Sequence, residues 1–173
     1  PHEKINFDIL GADFIAISAH KMAGPTGIGC LLVKENIMEE MAPFMTGGSM
    51  IKTVTTKGST FQDGHALFET GTPRIAEAIG WGAAVEWLNQ FDMADINSHV
   101  HNIASWTAKE MRKIPGIVIY GNPEESDSSG AVSFLHESIQ SLDMALLLDE
   151  GGFAVRTGHH CAQPLMDALN VPS

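Results

Sequence analysis

Two apolar runs of strand length, Phe14 to Ile17 and Gly29 to Val33, bracket a polar cluster, Ser18-Ala19-His20-Lys21, and a turn, Gly24-Pro25-Thr26-Gly27. Runs this short and this apolar, punctuated by glycine and proline, predict buried strands that reverse sharply between them. The two are expected to be sheet neighbours, which puts the polar cluster at the end of a strand.

Downstream the period changes. Thr46 to Gly64 is rich in Gly, Ser, Thr and Lys and has no helical period, so a long loop is expected there. After Gly71-Thr72-Pro73, the residues Ile75, Ile79, Gly82, Ala83 and Trp87 share one helical face, while Trp81, Val85 and Leu88 share another. That pattern predicts a helix buried on two sides. Ile96, Val100, Ile103, Ala104, Thr107, Ala108 and Met111 give a second helix, with Lys109, Arg112 and Lys113 in its last turn, where the macrodipole favours cations. Pro115-Gly116 ends it. Strands are then expected at Ile117 to Tyr120 and Ala131 to Leu135, and a helix with Ser141 as N-cap runs to Gly151-Gly152. A strand from Phe153 to Arg156 and a short helix near Pro164 complete the reading. The alternation is that of an α/β fold. A change of domain is placed near Asp92, between the two long helices, giving segments 1–92 and 93–173.

Composition narrows the function classes. The net charge of −11 argues against nucleic acid and against an anionic membrane surface. Apolar stretches such as Met144 to Leu148 fall far short of the roughly 18 residues that a membrane span needs. The chain starts at Pro1 with no charged-then-apolar leader, so a soluble, cytoplasmic protein is expected. The two cysteines, Cys30 and Cys161, lie in different settings, which makes a disulfide framework a poor reading. Cys30, inside Ile28 to Val33, reads as a small buried hydrophobe.

Three places carry chemistry. Lys21 follows an apolar strand beside Ser18 and His20, and burial there would lower its pKa toward that of an imine-forming lysine; a solvated loop lysine is the alternative. Cys161 follows Gly158-His159-His160 in a polar loop, where an exposed thiol near histidine can act as a nucleophile. A zinc site is disfavoured, because consecutive side chains rarely point at one ion, and a packing cysteine by the polar neighbours; an incidental surface thiol is the alternative. Gly71-Thr72, ahead of a long helix, offers backbone N–H groups and a hydroxyl suited to a phosphate; a plain helix start with Thr72 as N-cap and Pro73 at N1 is the other reading.

These places fall within three strings that occur in order: Ser18-Ala19-His20-Lys21 through Gly24-Pro25-Thr26-Gly27-Ile28-Gly29; Phe68-Glu69-Thr70-Gly71-Thr72-Pro73; and Arg156-Thr157-Gly158-His159-His160-Cys161-Ala162. Together they resemble the SUF-type (group II) cysteine desulfurases of the class V aminotransferase superfamily. The likeness extends through Gly47-Gly48-Ser49-Met50-Ile51 and Gln163-Pro164-Leu165-Met166.

The resemblance implies a PLP-dependent transferase fold of the fold-type I, aminotransferase-like class. Residues 1–92 would be the C-terminal part of the large cofactor-binding domain, and residues 93–173 most of the small C-terminal α/β domain. It implies that Lys21 forms the internal aldimine with pyridoxal 5′-phosphate, that Ser18 and His20 bind the cofactor phosphate, and that Gly71 and Thr72 reach the phosphate of the other subunit of a homodimer. Arg156 would grip the carboxylate of L-cysteine. Cys161 would take the sulfur as a persulfide, leave alanine, and pass sulfur to a SufE-like or SufU-like acceptor for iron–sulfur cluster assembly. His159 and His160 match the string without an assigned role.

The sequence lacks the family's upstream half, including the aspartate at the pyridine nitrogen, the residue stacked on the ring and the glutamine near the phenolic oxygen. It also stops before the second substrate-side arginine, so poor cofactor binding by these 173 residues alone is expected. A selenocysteine lyase or another C–S lyase of the superfamily shares the lysine and the Gly-Thr-Pro segment. A non-catalytic docking or regulatory module for a sulfur carrier is a reading from a different class.

Overall fold

The computed structural model describes residues 2–125 and 128–171. It divides into two units, Pro1–Ile96 and Asn97–Ser173, with the division in the first turn of a long helix; the sequence reading places the domain change near Asp92, a few residues earlier.

The first unit opens with a single helical turn, α1 (Phe7–Leu10), capped by the Asn6 carboxamide and closed by Gly11 in the left-handed conformation. Strands β1 (Phe14–Ser18) and β2 (Gly29–Val33) follow as an antiparallel pair running from Phe14↔Val33 to Ser18↔Gly29. The two apolar runs are therefore neighbours, as expected. At its open end the pair is clipped by Lys34, whose N–H donates to Asp13 O and whose Nζ lies 2.9 Å from Asp13 Oδ1. A helical turn, α2 (Glu35–Met38), follows.

Where a loop is expected between Thr46 and Gly64, the chain instead forms a hairpin, β3 (Ile51–Thr55) and β4 (Gly58–Phe61). Two features account for it. Its strands carry β-branched and aromatic residues, Ile51, Thr53, Val54, Thr55, Thr60 and Phe61, which suit a pleated ribbon even when they are polar. Cross-strand pairs, Thr53 Oγ1 with Thr60 Oγ1 at 2.6 Å and Lys52 with Asp63, replace a buried face.

Helix α3 (Ile75–Leu88) has Arg74 as its N-cap, so the helix begins beyond Thr72 and Pro73, and the N-cap reading for Thr72 does not hold. Its inward stripe is Glu77, Trp81, Ala84 and Leu88. Ile75, Ile79 and Trp87 are 59%, 70% and 51% exposed, so within this chain the helix is covered on one side and not on two.

Helix α4 (Met93–Met111) crosses the division and buries Ala104 and Ala108. In the second unit β5 (Ile117–Tyr120) pairs antiparallel with β6 (Ser133–His136), a register shorter and later than the expected Ala131 to Leu135. Gly116, at φ +82°, lets the His136 ring lie against its Cα; a Cβ there would sit 2.6 Å from His136 Nε2. Helix α5 (Ser141–Glu150) starts one residue after its N-cap Gln140, which takes the place expected for Ser141. Phe153 to Arg156 is not a strand: the described sheets each hold two strands, and none offers this segment a ladder. Helix α6 (Gln163–Leu169) carries Pro164 in its first turn, as expected.

The buried apolar residues among those described are Ala19, Met50, Leu88, Ala104 and Ala108. Leu31 and Leu32, predicted to be buried, are 54% and 42% exposed, and Cys30 beside them is exposed rather than packed. The reason is geometric. A two-stranded ribbon has too few neighbours in this chain to cover both faces of a strand patterned for full burial.

The ladder end beside the polar cluster has no slack. A Cβ on Gly29 would lie 2.6 Å from the Ile17 carbonyl oxygen, a backbone atom. Gly29→Ala is expected to destabilise the protein by about 1–3 kcal/mol through that clash, read as a lower urea midpoint at unchanged slope; an unchanged midpoint would show that the strand end has room.

Candidate functional site

The polar cluster after β1 is built by its backbone. Ala19 is fully buried. Its N–H donates to the Ile28 carbonyl at 3.2 Å, and its own carbonyl accepts from Met22 N–H at 2.8 Å and Gly24 N–H at 3.0 Å. These bonds wind Ala19–Lys21 into a short 3-10 turn directly on the end of the strand. Gly24 closes it from below: a Cβ there would meet Ala19 O and Trp81 Cδ1, each at 3.0 Å, so a side chain would fit only if these neighbours gave way by a few tenths of an ångström. Pro25 rests on Gly80 in ordinary van der Waals contact, its Cγ 3.6 Å from the position of a Cβ there. Helix α3 therefore serves as the floor of the turn.

Three groups leave this turn. Ser18 occupies its N-cap position with no capping hydrogen bond from its side chain, which leaves Oγ free to bind something else. His20 and Lys21 are exposed, so of the two sequence readings of Lys21 the accessible loop lysine holds within this chain, and the buried one does not. Lys21 takes no part in the ion pairs among the described residues. An accessible amine without a carboxylate partner, beside a free hydroxyl and an imidazole, fits a group that carries an aldehyde and an anion.

The segment before α3 is held differently from its sequence reading. Gly71, at φ +81°, donates its N–H to the Gly48 carbonyl at 2.8 Å, so that donor is occupied by the chain. The Thr70 hydroxyl packs so closely on Gly47 that a Cβ there would lie within 2.3 Å of Oγ1. Gly47-Gly48 and Thr70-Gly71 thus lock two loops together, and Thr72 is exposed beyond the lock. The sequence reading passed over Arg74: its guanidinium approaches Gly27, with Nη1 4.0 Å from the position of a Cβ there, and pairs with Glu77 at 3.6 Å. The available signal was a lone cation directly after Gly-Thr-Pro.

In the second unit every residue from Gly151 to Cys161 is exposed. Arg156 has no ion-pair partner among the described residues, which leaves its guanidinium open to a carboxylate. Cys161 is a free, exposed thiol at the tip of a turn formed by His159 to Ala162, where Ala162 N–H donates to His159 O at 2.7 Å. No group of three or more His, Cys, Asp or Glu side chains among the described residues could hold a metal ion. None of the described helices is long and apolar enough to cross a membrane.

The class-V aminotransferase family matches the chain over residues 1–173. A cysteine desulfurase of Haloferax volcanii is 42% identical over 171 residues, covering 99% of this chain and 40% of that protein. The crystal structure of the cysteine desulfurase CsdA from Escherichia coli, in an S-sulfonic acid form, superposes with a TM-score of 0.91 at 36% identity over 98% of this chain and 42% of the other. A C-DES variant with glycine covalently linked to its PLP cofactor superposes at 0.72 with 21% identity over 92% of this chain and 41% of the other, which is a likeness of fold alone. The chain spans about 40% of the length of the curated relatives it matches. Its fold is that of the class-V aminotransferases.

Both cysteines are exposed. Ellman's reagent is therefore expected to titrate 2 thiols in the native chain without denaturant; a single reactive thiol would show that one of them is covered in solution.

Proposed function

The chain belongs to the class-V aminotransferase family, and from that premise we propose that it is the lysine- and cysteine-bearing part of a SUF-type cysteine desulfurase, which moves sulfur from L-cysteine onto Cys161. The likeness to cysteine desulfurases along nearly the whole chain carries this reading. Two local features support it: the turn that presents an unpaired Lys21, and the exposed thiol of Cys161.

In this reading Lys21 Nζ would hold pyridoxal phosphate, and the Ser18 hydroxyl and the His20 imidazole would bind its phosphate. Thr72, with Gly71, whose own N–H is taken by the Gly48 carbonyl, would reach the phosphate bound by the partner subunit of a homodimer. The bound cofactor supplies an electron sink next to the substrate's Cα. The chain supplies the rest. Arg156 would grip the substrate carboxylate with two parallel N–H donors and so orient the substrate. Lys21 Nζ, as a free amine, would move the proton at the substrate's Cα. Cys161 Sγ, as thiolate, attacks the substrate sulfur: a sulfur–sulfur bond forms, the carbon–sulfur bond breaks, and its electron pair stays with carbon, which takes up protons to become alanine. A thiolate suits the step because it is soft and polarizable, and a serine hydroxyl is not. The persulfide then passes to a SufE-like or SufU-like carrier, which the exposed position of Cys161 allows. Iron–sulfur cluster assembly is the use we assign to that sulfur.

Cys161→Ala in the complete polypeptide is expected to lower alanine formation from L-cysteine by more than about a hundredfold, equivalent to about 2.7 kcal/mol of barrier, while cofactor absorbance is kept. Lys21→Ala is expected to remove the covalently held cofactor. Full alanine formation by Cys161→Ala would exclude the persulfide route. Selenide release from selenocysteine that survives in that variant, with cysteine turnover lost, is the outcome for a thiol needed only for sulfur.

A further inference from the structure

Helix α6 is preceded by a turn whose backbone its residue types do not favour. His160 sits at φ +50° and Cys161 at φ +65°, with Gly158 at +95° just before them. Non-glycine residues at positive φ are uncommon, and two in succession are rarer still. Elsewhere among the described residues such non-glycine positions occur singly, at Ala23, Ser49 and Asn170. The hydrogen bond from Ala162 N–H to His159 O spans four residues, so His160 and Cys161 are the two central positions of a primed β-turn, the class that glycine, asparagine and aspartate normally fill. Gly158, itself left-handed, lets the chain enter the turn. On the far side the Ala162 carbonyl accepts from Leu165 N–H at 3.0 Å and Met166 N–H at 3.2 Å, which joins the turn to the first turn of α6 and holds histidine and cysteine there. Backbone strain survives only where the surroundings over-determine it.

We propose that His160 is a positioning residue for Cys161, acting through its left-handed backbone and not through its imidazole. This rests on the reading of Cys161 as the sulfur acceptor. A thiol at the tip of an exposed loop would otherwise sample many directions, and each wrong direction lowers the chance of meeting the substrate sulfur in line. The primed turn removes that freedom by fixing both central residues in one backbone well and fusing them to a helix. The device works by pre-organisation, so it requires nothing of the imidazole.

The test is a series at position 160 in the complete holoprotein, on a Cys30→Ser background so that a single thiol of this segment reports. Asparagine tolerates the left-handed region, alanine does so less well, and a β-branched residue resists it. His160→Asn is expected to keep persulfide formation within about threefold, His160→Ala to be intermediate, and His160→Val to lose about tenfold or more in kcat with KM for cysteine unchanged, consistent with the cost of a disfavoured backbone. Cofactor absorbance and melting temperature serve as controls for folding. Alkylation of Cys161 by iodoacetamide, which needs neither substrate nor cofactor chemistry, is expected to follow the same order, with Asn near wild type and Val displaced from it. Equal losses in Asn, Ala and Val would assign the effect to the imidazole and overturn the proposal, as would a Val variant indistinguishable from wild type in both assays. If Cys161→Ala still forms alanine, the sulfur-acceptor reading fails, and the alkylation order alone then decides whether His160 sets the conformation of the turn.

Discussion

The Ala19 carbonyl, which receives two backbone N–H groups, and the Ala19 N–H, which donates back to Ile28, are the bonds on which the first unit depends. They convert the end of β1 into a 3-10 turn with no side-chain cap and so fix where Lys21 leaves the strand. Everything near them is shaped to allow that turn. Gly24 and Gly29 are small because a Cβ at either would strike backbone within 3.0 Å, and α3 presses Trp81 against the first of them. A buried, fully bonded backbone with exposed functional groups is a stable way to present chemistry, since the polar side chains pay no desolvation cost while the main chain stays satisfied.

The second unit presents its thiol by the opposite means. No packed floor lies under residues 151–161, which are all exposed. Order there comes from main-chain geometry: a left-handed glycine, a primed turn and a helix start in immediate succession. One turn is held by packing and the other by backbone constraint. In both, the backbone fixes the point from which an exposed side chain leaves the chain.

Much of this was legible in the residues. Apolar runs bounded by glycine gave β1, β2 and β5 nearly to the residue, and the 3.6-residue period gave α3 and α4, because those signals are local. The β3–β4 hairpin was missed because its strands are stabilised by threonine pairs and a Lys52–Asp63 pair rather than by a buried face, which leaves no hydrophobic alternation to read. Burial was overestimated at Cys30, Leu31, Leu32 and the outer face of α3, since hydrophobic pattern reports what a segment is suited to meet and not what lies beside it in this chain. The strand expected at Phe153 to Arg156 failed for a related reason, as a strand needs a ladder and the segment has none. At the candidate site, Lys21 and Cys161 were singled out as candidates from residue type and context, and Ser18 only through the resemblance. The occupied N–H of Gly71, the approach of Arg74 to Gly27 and the left-handed pair His160-Cys161 were not, because hydrogen-bond partners and φ values are tertiary facts.

Lys21 and Cys161 are 140 positions apart in the sequence and belong to different units, yet the proposed chemistry needs both in one reaction. The most direct measurement supplies the complete holoprotein with L-cysteine labelled in its sulfur and weighs the peptide that carries Cys161. The account predicts one labelled sulfur on Cys161 in the wild-type protein and none when Lys21 is replaced by alanine. Label on Cys161 that persists without Lys21, or label that never reaches Cys161 while alanine accumulates, would contradict it.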